Sequence, residues 1–195
     1  MSGSGQGLDL SADKKRALAL TPVSRETEKR LELFVDLLLR WQNRINLVSA
    51  ATLPQLWTRH VADSLQLIDL APHAKVWVDL GSGGGFPGMP IACALADEPG
   101  AMVHLVESNG KKAAFLREAA RITQVPAKVH QARAEKFGES CRETVHAVTA
   151  RALAPLKTLC DQAFPLIARG ALGLFPKGQD VETVVLSLNC PWTVS

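Results

Sequence analysis

Cysteine is scarce in this sequence, and its spacing excludes two kinds of site. The four cysteines stand at positions 93, 141, 160 and 190, with no CxxC pair and no pair of histidines nearby. Neither a zinc site nor a disulfide framework matches that spacing. We therefore expect reduced thiols and no bound metal.

Long apolar segments are also missing. No run approaches the roughly 18 to 20 apolar residues that a membrane-spanning helix requires. The N-terminal segment MSGSGQGLDLSADKKRALAL has no long apolar stretch of the kind found in secretory signals. We expect a cytoplasmic protein that has no membrane partner.

The charge of the chain is only mildly basic. The formal net charge is +3 and the pI is about 8.8, while apolar residues make up 47% and charged residues 21% of the sequence. This balance permits a polyanionic partner without requiring one, because many small enzymes share it. A length of 195 residues is enough for one α/β domain with its own core.

Residues 1–72 are predicted to form a helical N-terminal region with a loose tail. Ser24 suits a helix N-cap, and acids follow it in the first turn. Apolar residues then recur at three- and four-residue steps over 31–45, which predicts a long amphipathic helix. Pro54 suits the first turn of a second helix, whose apolar stripe covers 57–68.

Residues 73–195 are predicted to form an α/β domain. Strand-like segments alternate with helical ones. The strand-like segments are VWVDL, MVHLVES, AKVHQARAE, HAVTARA and ALGLFPKG, and the helical segments are PIACALA, KKAAFLREAARI and PLKTLCDQAFPLIA. This alternation is typical of βαβ units. It predicts a Rossmann-like, mostly parallel sheet with helices on both faces.

A glycine cluster follows the first predicted strand, in VWVDLGSGGGFPGMPIA. No Lys-Ser or Lys-Thr follows these glycines, which excludes the P-loop of nucleoside triphosphatases. Gly83, Gly85 and Gly88 match the dinucleotide pattern G-x-G-x-x-G. Pro87 and Pro90 argue against that match, because prolines remove the N–H donors that a pyrophosphate needs.

An acid before the glycines favours a different cofactor. Asp79 followed by G-x-G-x-G resembles motif I of the class I S-adenosylmethionine-dependent methyltransferases, and its carboxylate suits the cationic end of that cofactor. Glu107 closes the second predicted strand, where an acid can accept hydrogen bonds from ribose hydroxyls. Glu107 alone does not separate this cofactor from a dinucleotide; Asp79 and the prolines favour S-adenosylmethionine.

An ordered set of segments makes the resemblance specific. RWQNRINLVS, RHVADS, the glycine loop with its FPG extension, LVESNGKKAAFLR, ARAE, VTARALAPL and FPKGQ occur in this order over roughly residues 25–180. Together they resemble the bacterial RsmG family, also called GidB. The resemblance implies methylation of N7 of a guanine in the decoding region of 16S ribosomal RNA, with S-adenosylmethionine as the methyl donor.

The resemblance also implies two sets of residues. The implied cofactor pocket comprises Asp79, Gly81, Gly83, Gly85, Phe86, Glu107, Ser108, Asn109, Ala134, Glu135 and Arg151. The expected RNA-binding surface comprises Arg59, His60, Lys111, Lys112 and Lys177. We expect a monomer that binds 16S rRNA or the small ribosomal subunit.

The chemistry asks for positioning rather than for an acid or a base. Guanine N7 carries a lone pair and no proton at neutral pH, so methyl transfer is a direct displacement. The fourth predicted strand accordingly ends in Thr149-Ala150-Arg151, without the Asn/Asp-Pro-Pro-aromatic motif of amino-group methyltransferases. We expect Arg151 to lie at the reacting edge, where an arginine can bind guanine O6, a phosphate or the cofactor.

The resemblance weakens at the end of the chain. After FPKGQ, members of the family continue through a helix and two closing strands, whereas VETVVLSLNCPWTVS follows here. We therefore expect the last strands of the sheet to be missing or altered. Two other functions stay open: a class I methyltransferase acting on a small molecule or a protein, and an NAD-type nucleotide-binding module.

Overall fold

A seven-stranded sheet forms the centre of the protein. The computed structural model describes residues 8–151, 156–176, 183–187 and 190–194. The strands are β1 (Val76–Leu80), β2 (Met102–Val106), β3 (Ala127–His130), β4 (Ala147–Ala150), β5 (Leu172–Pro176), β6 (Thr183–Ser187) and β7 (Cys190–Val194). Their order in the sheet is β3-β2-β1-β4-β5-β6-β7. The first five strands are parallel, which confirms the predicted α/β fold.

Helices precede the sheet and alternate with its strands. Before β1 lie α1 (Ser11–Leu20), α2 (Arg25–Gln42), a 3₁₀ helix (Ala50–Gln55), a π-helical turn (Trp57–Ala62) and α3 (Asp63–Leu70). Between the parallel strands lie α4 (Gly88–Ala94), α5 (Gly110–Thr123), α6 (Ala134–Ser140) and α7 (Leu156–Ile167). Within the described part of the chain, no helix has both the length and the hydropathy needed to cross a bilayer.

The closing strands of the sheet are present. β6 pairs antiparallel with β5, and β7 pairs antiparallel with β6. The expectation that these strands are missing is therefore wrong. Short connections suffice for them, because neighbouring antiparallel strands need no crossover helix.

The N-terminal helices follow the sequence pattern closely at first and then depart from it. Ser24 caps α2, its Oγ accepting a hydrogen bond from the backbone N–H of Thr27 at 3.1 Å. The predicted second helix is instead three successive pieces: the 3₁₀ helix that contains Pro54, the π-helical turn and α3. Apolar periodicity identifies a helical face, but it does not distinguish the three windings over so short a stretch.

Two apolar clusters cover the two faces of the sheet. The larger one joins α2, α4 and α5 to one face through side chains such as Phe34, Trp77 and Phe115. The smaller one places α6 and α7 on the other face, around Val148 and Phe175. The predicted boundary near residue 72 falls between α3 and β1, yet the larger cluster continues across it, so the N-terminal helices share a core with the sheet.

Candidate active site

Polar groups gather where the parallel strands end. The residue pairs Leu80–Val106 and Leu80–Ala150 are in register, so β1, β2 and β4 finish side by side. Glu107 and Arg151 follow the last two of these strands directly. The carboxyl edge of a parallel sheet is where ligands bind in such folds.

The glycine loop after β1 has an open side. Gly81 and Gly83 have φ angles of +71° and +53°, which side-chain-bearing residues rarely adopt. A Cβ atom built on Gly81 would meet nothing within 4 Å, and one built on Gly83 would first meet the carbonyl oxygen of Gly81 at 3.6 Å. The backbone there is accessible to a ligand.

The other side of the same loop is packed. A Cβ atom on Gly84 would lie 2.7 Å from the carbonyl oxygen of Leu47, and one on Gly85 would lie 3.0 Å from Cζ of Phe34. Phe86 is 5% exposed, and its ring centroid lies 5.2 Å from that of Phe34. This corrects the prediction for Gly85 and Phe86: both face the N-terminal helices rather than the open side.

Glu107 ties the glycine loop to the end of β2. Its Oε2 accepts a hydrogen bond from the N–H of Gly83 at 2.9 Å, and its Oε1 accepts one from the N–H of Asn109 at 2.7 Å. Ser108 and Asn109 are exposed beside it. The Asn109 side chain caps α5 by accepting from the N–H groups of Lys111 and Lys112. The carboxylate of Glu107 therefore lies directly beside Gly83 on the open side of the loop.

Asp79 lies beneath the loop rather than on its open side. The residue is 1% exposed, its Oδ1 accepts from the hydroxyl of Thr149 at 3.0 Å, and its Oδ2 accepts from the N–H of Gly88 at 3.2 Å. Burial raises the pKa of its carboxyl to about 6. Asp79 joins the loop to β4 through these bonds, and its predicted role toward the cationic end of the cofactor stays a prediction.

Ala134 and Glu135 begin α6, a helix that the sequence analysis did not predict. The helix is only seven residues long and follows β3 at the same edge. Glu135 is exposed, and its Oε1 accepts a hydrogen bond from Nε2 of Gln162 at 2.8 Å. The hydrogen bond from its own backbone N–H, and then that from Gln162, hold the pKa of the Glu135 carboxyl below its ordinary value.

Arg151 points from the end of β4 to the π-helical turn. Its Nη2 donates to the carbonyl oxygen of Arg59 at 3.0 Å, while its Nη1 is buried and has no hydrogen-bond partner among the residues that the structure describes. An unpaired buried donor is costly, so this atom has unused capacity to bind an acceptor. Burial lowers the pKa of the Arg151 guanidinium, and the negative charges of Asp63 and Asp79 partly offset that effect.

Asp63 belongs to the same group of charges, although the sequence analysis gave it no role. It is half-buried at the first position of α3, and its carboxylate makes no hydrogen bond among the described residues. Burial raises the pKa of this carboxyl, and the positive charges of Arg151 and Arg59 oppose the rise. Its four-residue spacing from Arg59 is the one sequence signal that links the two.

His60 departs from its predicted role. Its side chain is buried, Nε2 lies 2.9 Å from the hydroxyl of Thr52, and its ring packs on Phe86 with a centroid distance of 4.9 Å. Burial, followed by the charges of Arg151 and Arg59, lowers the pKa of His60 to about 3. A buried, neutral ring does not offer a contact to RNA; it supports the glycine loop.

The structure describes three of the four remaining predicted RNA-binding residues. Arg59 is half-buried on the π-helical turn, while Lys111 is exposed and Lys112 half-buried at the start of α5. Lys177 lies outside the described residues. Among the side chains that the structure describes, no three His, Cys, Asp or Glu residues cluster as metal ligands would.

Solved structures share this fold. The chain superposes on a candidate protein-L-isoaspartate O-methyltransferase from Plasmodium falciparum with a TM-score of 0.55 and 11% identity, over 95% of this chain and 90% of that one. A candidate O-methyltransferase from Klebsiella pneumoniae gives a TM-score of 0.54 at 17% identity, over 88% and 79%. At these identities the likeness shows the fold alone: the chain shares the fold of the class I S-adenosylmethionine-dependent methyltransferases.

Sequence relatives narrow that class to one family. The profile described as rRNA small subunit methyltransferase G matches residues 27–195. The protein named ribosomal RNA small subunit methyltransferase G in Bradyrhizobium sp. (strain BTAi1) is 60% identical over 185 residues, or 95% of this chain and 83% of that protein. Its namesake in Bradyrhizobium diazoefficiens is 55% identical over 195 residues, or 99% and 75%.

This chain belongs to the rRNA small subunit methyltransferase G family. Membership confirms two predictions: methyl transfer to ribosomal RNA of the small subunit, and S-adenosylmethionine as the methyl donor.

Proposed function

We propose that this protein acts as a cytoplasmic monomer that methylates N7 of a guanine in the decoding region of 16S rRNA. The observation that carries this proposal is the guanidinium of Arg151. It lies at the carboxyl edge of the sheet beside a glycine loop whose backbone is open, and its Nη1 is buried with no partner in the described part of the chain. An arginine donor next to a cofactor cradle suits a base that presents oxygen and nitrogen acceptors.

The residues at the edge fit S-adenosylmethionine. The open side at Gly81 and Gly83 leaves room for close approach of a ligand to the backbone, and no phosphate-binding lysine is needed there. Each carboxylate oxygen of Glu107 accepts one backbone hydrogen bond and keeps a lone pair for a ribose hydroxyl. Exposed Glu135 is available for the adenine amino group. When bound, this cofactor supplies a methyl group activated on a sulfonium.

The protein's own contribution to the reaction is orientation. N7 holds its lone pair in the plane of the base and carries no proton, so no side chain has to remove one. Asp79 and His60 agree with this, because both are buried in internal hydrogen bonds and neither faces the open side of the loop. What the site must do is hold the base, turned out of its stack, in line with the methyl group.

Arg151 and Asp63 together complement a guanine. The free Nη1 of Arg151 can donate to O6, which leaves N7 unobstructed. A half-buried carboxylate with no partner among the described residues, such as that of Asp63, can accept from N1–H and from the N2 amino group. Adenine offers neither O6 nor these donors, so the pair would select guanine.

Basic side chains next to the edge suit the phosphates of the RNA. Arg59 and the two lysines at the start of α5 flank the glycine loop in the chain's fold. Their contribution should be electrostatic, so binding of small subunits should weaken steeply as salt is added. A response that stays flat with salt would argue against this surface.

The deciding experiment is an assay with S-adenosylmethionine labelled on its methyl group. The wild-type protein is incubated with small ribosomal subunits, naked 16S rRNA or a pool of small metabolites, and the labelled product is mapped. We expect label on N7 of one guanine in the decoding region. Label on metabolites or proteins, or a melting temperature raised by NAD rather than by S-adenosylmethionine, would replace this proposal with one of the alternatives.

Two variants test whether Arg151 and Asp63 bind the guanine. Arg151→Ala should abolish methylation while the fold survives, and near-normal turnover would contradict the role of Arg151. Asp63→Asn should be tested against small subunits whose target guanine is replaced by inosine, which lacks the N2 amino group. If Asp63 contacts that amino group, inosine should impair the wild type but cost the variant little further activity.

A further inference from the structure

One helix of the protein lies outside the family match and still reaches the active site. The family profile begins at residue 27, whereas α1 covers Ser11–Leu20. Asp13 in α1 is 3% exposed, although carboxylates are rarely buried unless they have partners. Apart from an ion pair with Arg16 of the same helix at 3.3 Å, its partners are on the π-helical turn.

Asp13 caps the start of that turn. Its Oδ2 accepts hydrogen bonds from the N–H groups of Trp57 at 2.8 Å and Thr58 at 3.3 Å, and its Oδ1 accepts from the hydroxyl of Thr58 at 2.7 Å. N–H groups at the start of a helical turn have no partner within the turn, and a negative charge there is favourable. Asp13 thus supplies from a distant helix the cap that the turn does not supply for itself.

The middle of the same turn contacts Arg151, the residue proposed to bind the guanine. Two residues beyond Trp57, the carbonyl oxygen of Arg59 accepts from Nη2 of Arg151 at 3.0 Å. That bond fixes one nitrogen of the guanidinium, while the other, Nη1, has no partner within residues 8–151, 156–176, 183–187 and 190–194. π-Helical turns are wider and less stable than α-helical ones, so the position of this carbonyl depends on what holds the turn in place.

We propose that Asp13 is a positioning residue for methyl transfer: by capping the π-helical turn, it fixes the Arg59 carbonyl and through it the orientation of Arg151. The inference rests on the role proposed above for Arg151. It gives α1 a part in activity that the family match, which starts after this helix, does not assign.

Asp13→Asn is the direct test, because it keeps the shape of the side chain but places an amide where N–H donors point. We expect the kcat for methylation of small subunits to fall about tenfold, since small displacements of positioning groups have effects of at least this size. The Kd for S-adenosylhomocysteine should change by less than about twofold, because Asp13 contacts neither the glycine loop nor Glu107 and reaches the pocket only through Arg151. Asp36→Asn, an exposed acid on α2, is the matched control and should behave as the wild type.

A double-variant cycle separates positioning from a general structural role. Arg151→Lys keeps the charge but loses the planar fork that meets the Arg59 carbonyl. If Asp13 acts through Arg151, adding Asp13→Asn to Arg151→Lys should cost less than about twofold, well below the tenfold loss seen alone. Costs that multiply, or an Asp13→Asn variant with full activity, would overturn the inference.

The outcomes remain distinguishable from those of the proposed function. Wild-type protein that transfers no methyl group to small subunits refutes the function and the inference together. Wild-type protein that methylates, with multiplying costs in the cycle, refutes the inference alone. If Asp13→Asn does not fold, Thr58→Val takes its place in the same cycle, since it removes the hydroxyl bond to Asp13 and leaves both backbone bonds.

Discussion

The two sides of the glycine loop carry the same residue type for opposite reasons. On the open side, Gly81 has a positive φ and no atom near its missing side chain. On the packed side, Gly84 and Gly88 are glycines because neighbouring atoms occupy the space that a Cβ would need. One short segment therefore combines a ligand cradle with a packing joint, and substitutions on its two sides should damage different properties.

The largest effect should come from Gly88→Ala. A Cβ at this position would lie 2.3 Å from Cδ2 of Leu105 and 2.8 Å from Oδ2 of Asp79. Leu105 is fully buried and has no room to move, so we expect the free energy of unfolding to fall by about 3 kcal/mol. Urea unfolding measures this. Gly138→Ala is the control, because this helical glycine also has no positive φ and its Cβ would meet nothing closer than 3.4 Å. A loss in Gly88→Ala no greater than in Gly138→Ala would show that Gly88 is not crowded.

Gly84→Ala should come next. Its Cβ would lie 2.7 Å from the carbonyl oxygen of Leu47, so the connection between α2 and the 3₁₀ helix would have to move away from the loop. We expect a loss of about 2 kcal/mol in unfolding free energy, with faster proteolysis of the N-terminal helices. Unchanged proteolysis would show that the loop and this connection are not coupled.

Gly81→Ala should break activity more than stability. No atom crowds the new methyl group, but a φ of +71° costs a side-chain-bearing residue about 1 to 2 kcal/mol. The methyl group would occupy the side from which the cofactor approaches, so binding of S-adenosylhomocysteine, measured by calorimetry, should be lost in a protein that is still folded. Wild-type affinity in this variant would place the cofactor elsewhere.

The sequence predicted the location of the five parallel strands along the chain well, because short apolar runs indicate buried strands; it did not predict β6 and β7. VWVDL is β1 to the residue, and the acid in MVHLVES is the Glu107 that holds the loop. It did not predict which acids face a ligand. Asp79 and Glu107 look equivalent at the ends of their strands, and only packing shows that one lies beneath the loop.

Long-range contacts were equally hidden from the sequence. The bonds from Asp13 to the π-helical turn cross more than 40 positions of the chain, and those between Arg151 and Arg59 cross 92. α6 was missed because seven residues are too few to show helical periodicity. Conversely, His60 in RHVADS was predicted to contact RNA, but its side chain is buried, which a sequence motif alone does not reveal.

Two buried titratable groups on the packed side should give the smallest and most specific effect. The pKa of His60 is about 3 in the folded protein and near 6.5 in the unfolded chain, so acidification below pH 6.5 favours unfolding. The pKa of Asp79 is about 6 when folded and near 3.8 when unfolded, so acidification from pH 6 to pH 4 favours folding. The two effects oppose each other in the wild type, and removing one group should expose the other.

His60→Gln should therefore gain stability relative to the wild type as the pH falls from 6.5 to 4.5, and Asp79→Asn should lose it. We expect slopes of roughly 0.5 to 1 kcal/mol per pH unit, below the limit of about 1.4 for one proton, because each group is only partly titrated over this pH range. Urea unfolding of both variants and the wild type at four pH values gives the slopes. Slopes of the same sign would contradict the prediction, because they would show that His60 or Asp79 does not have the shifted pKa that its burial requires.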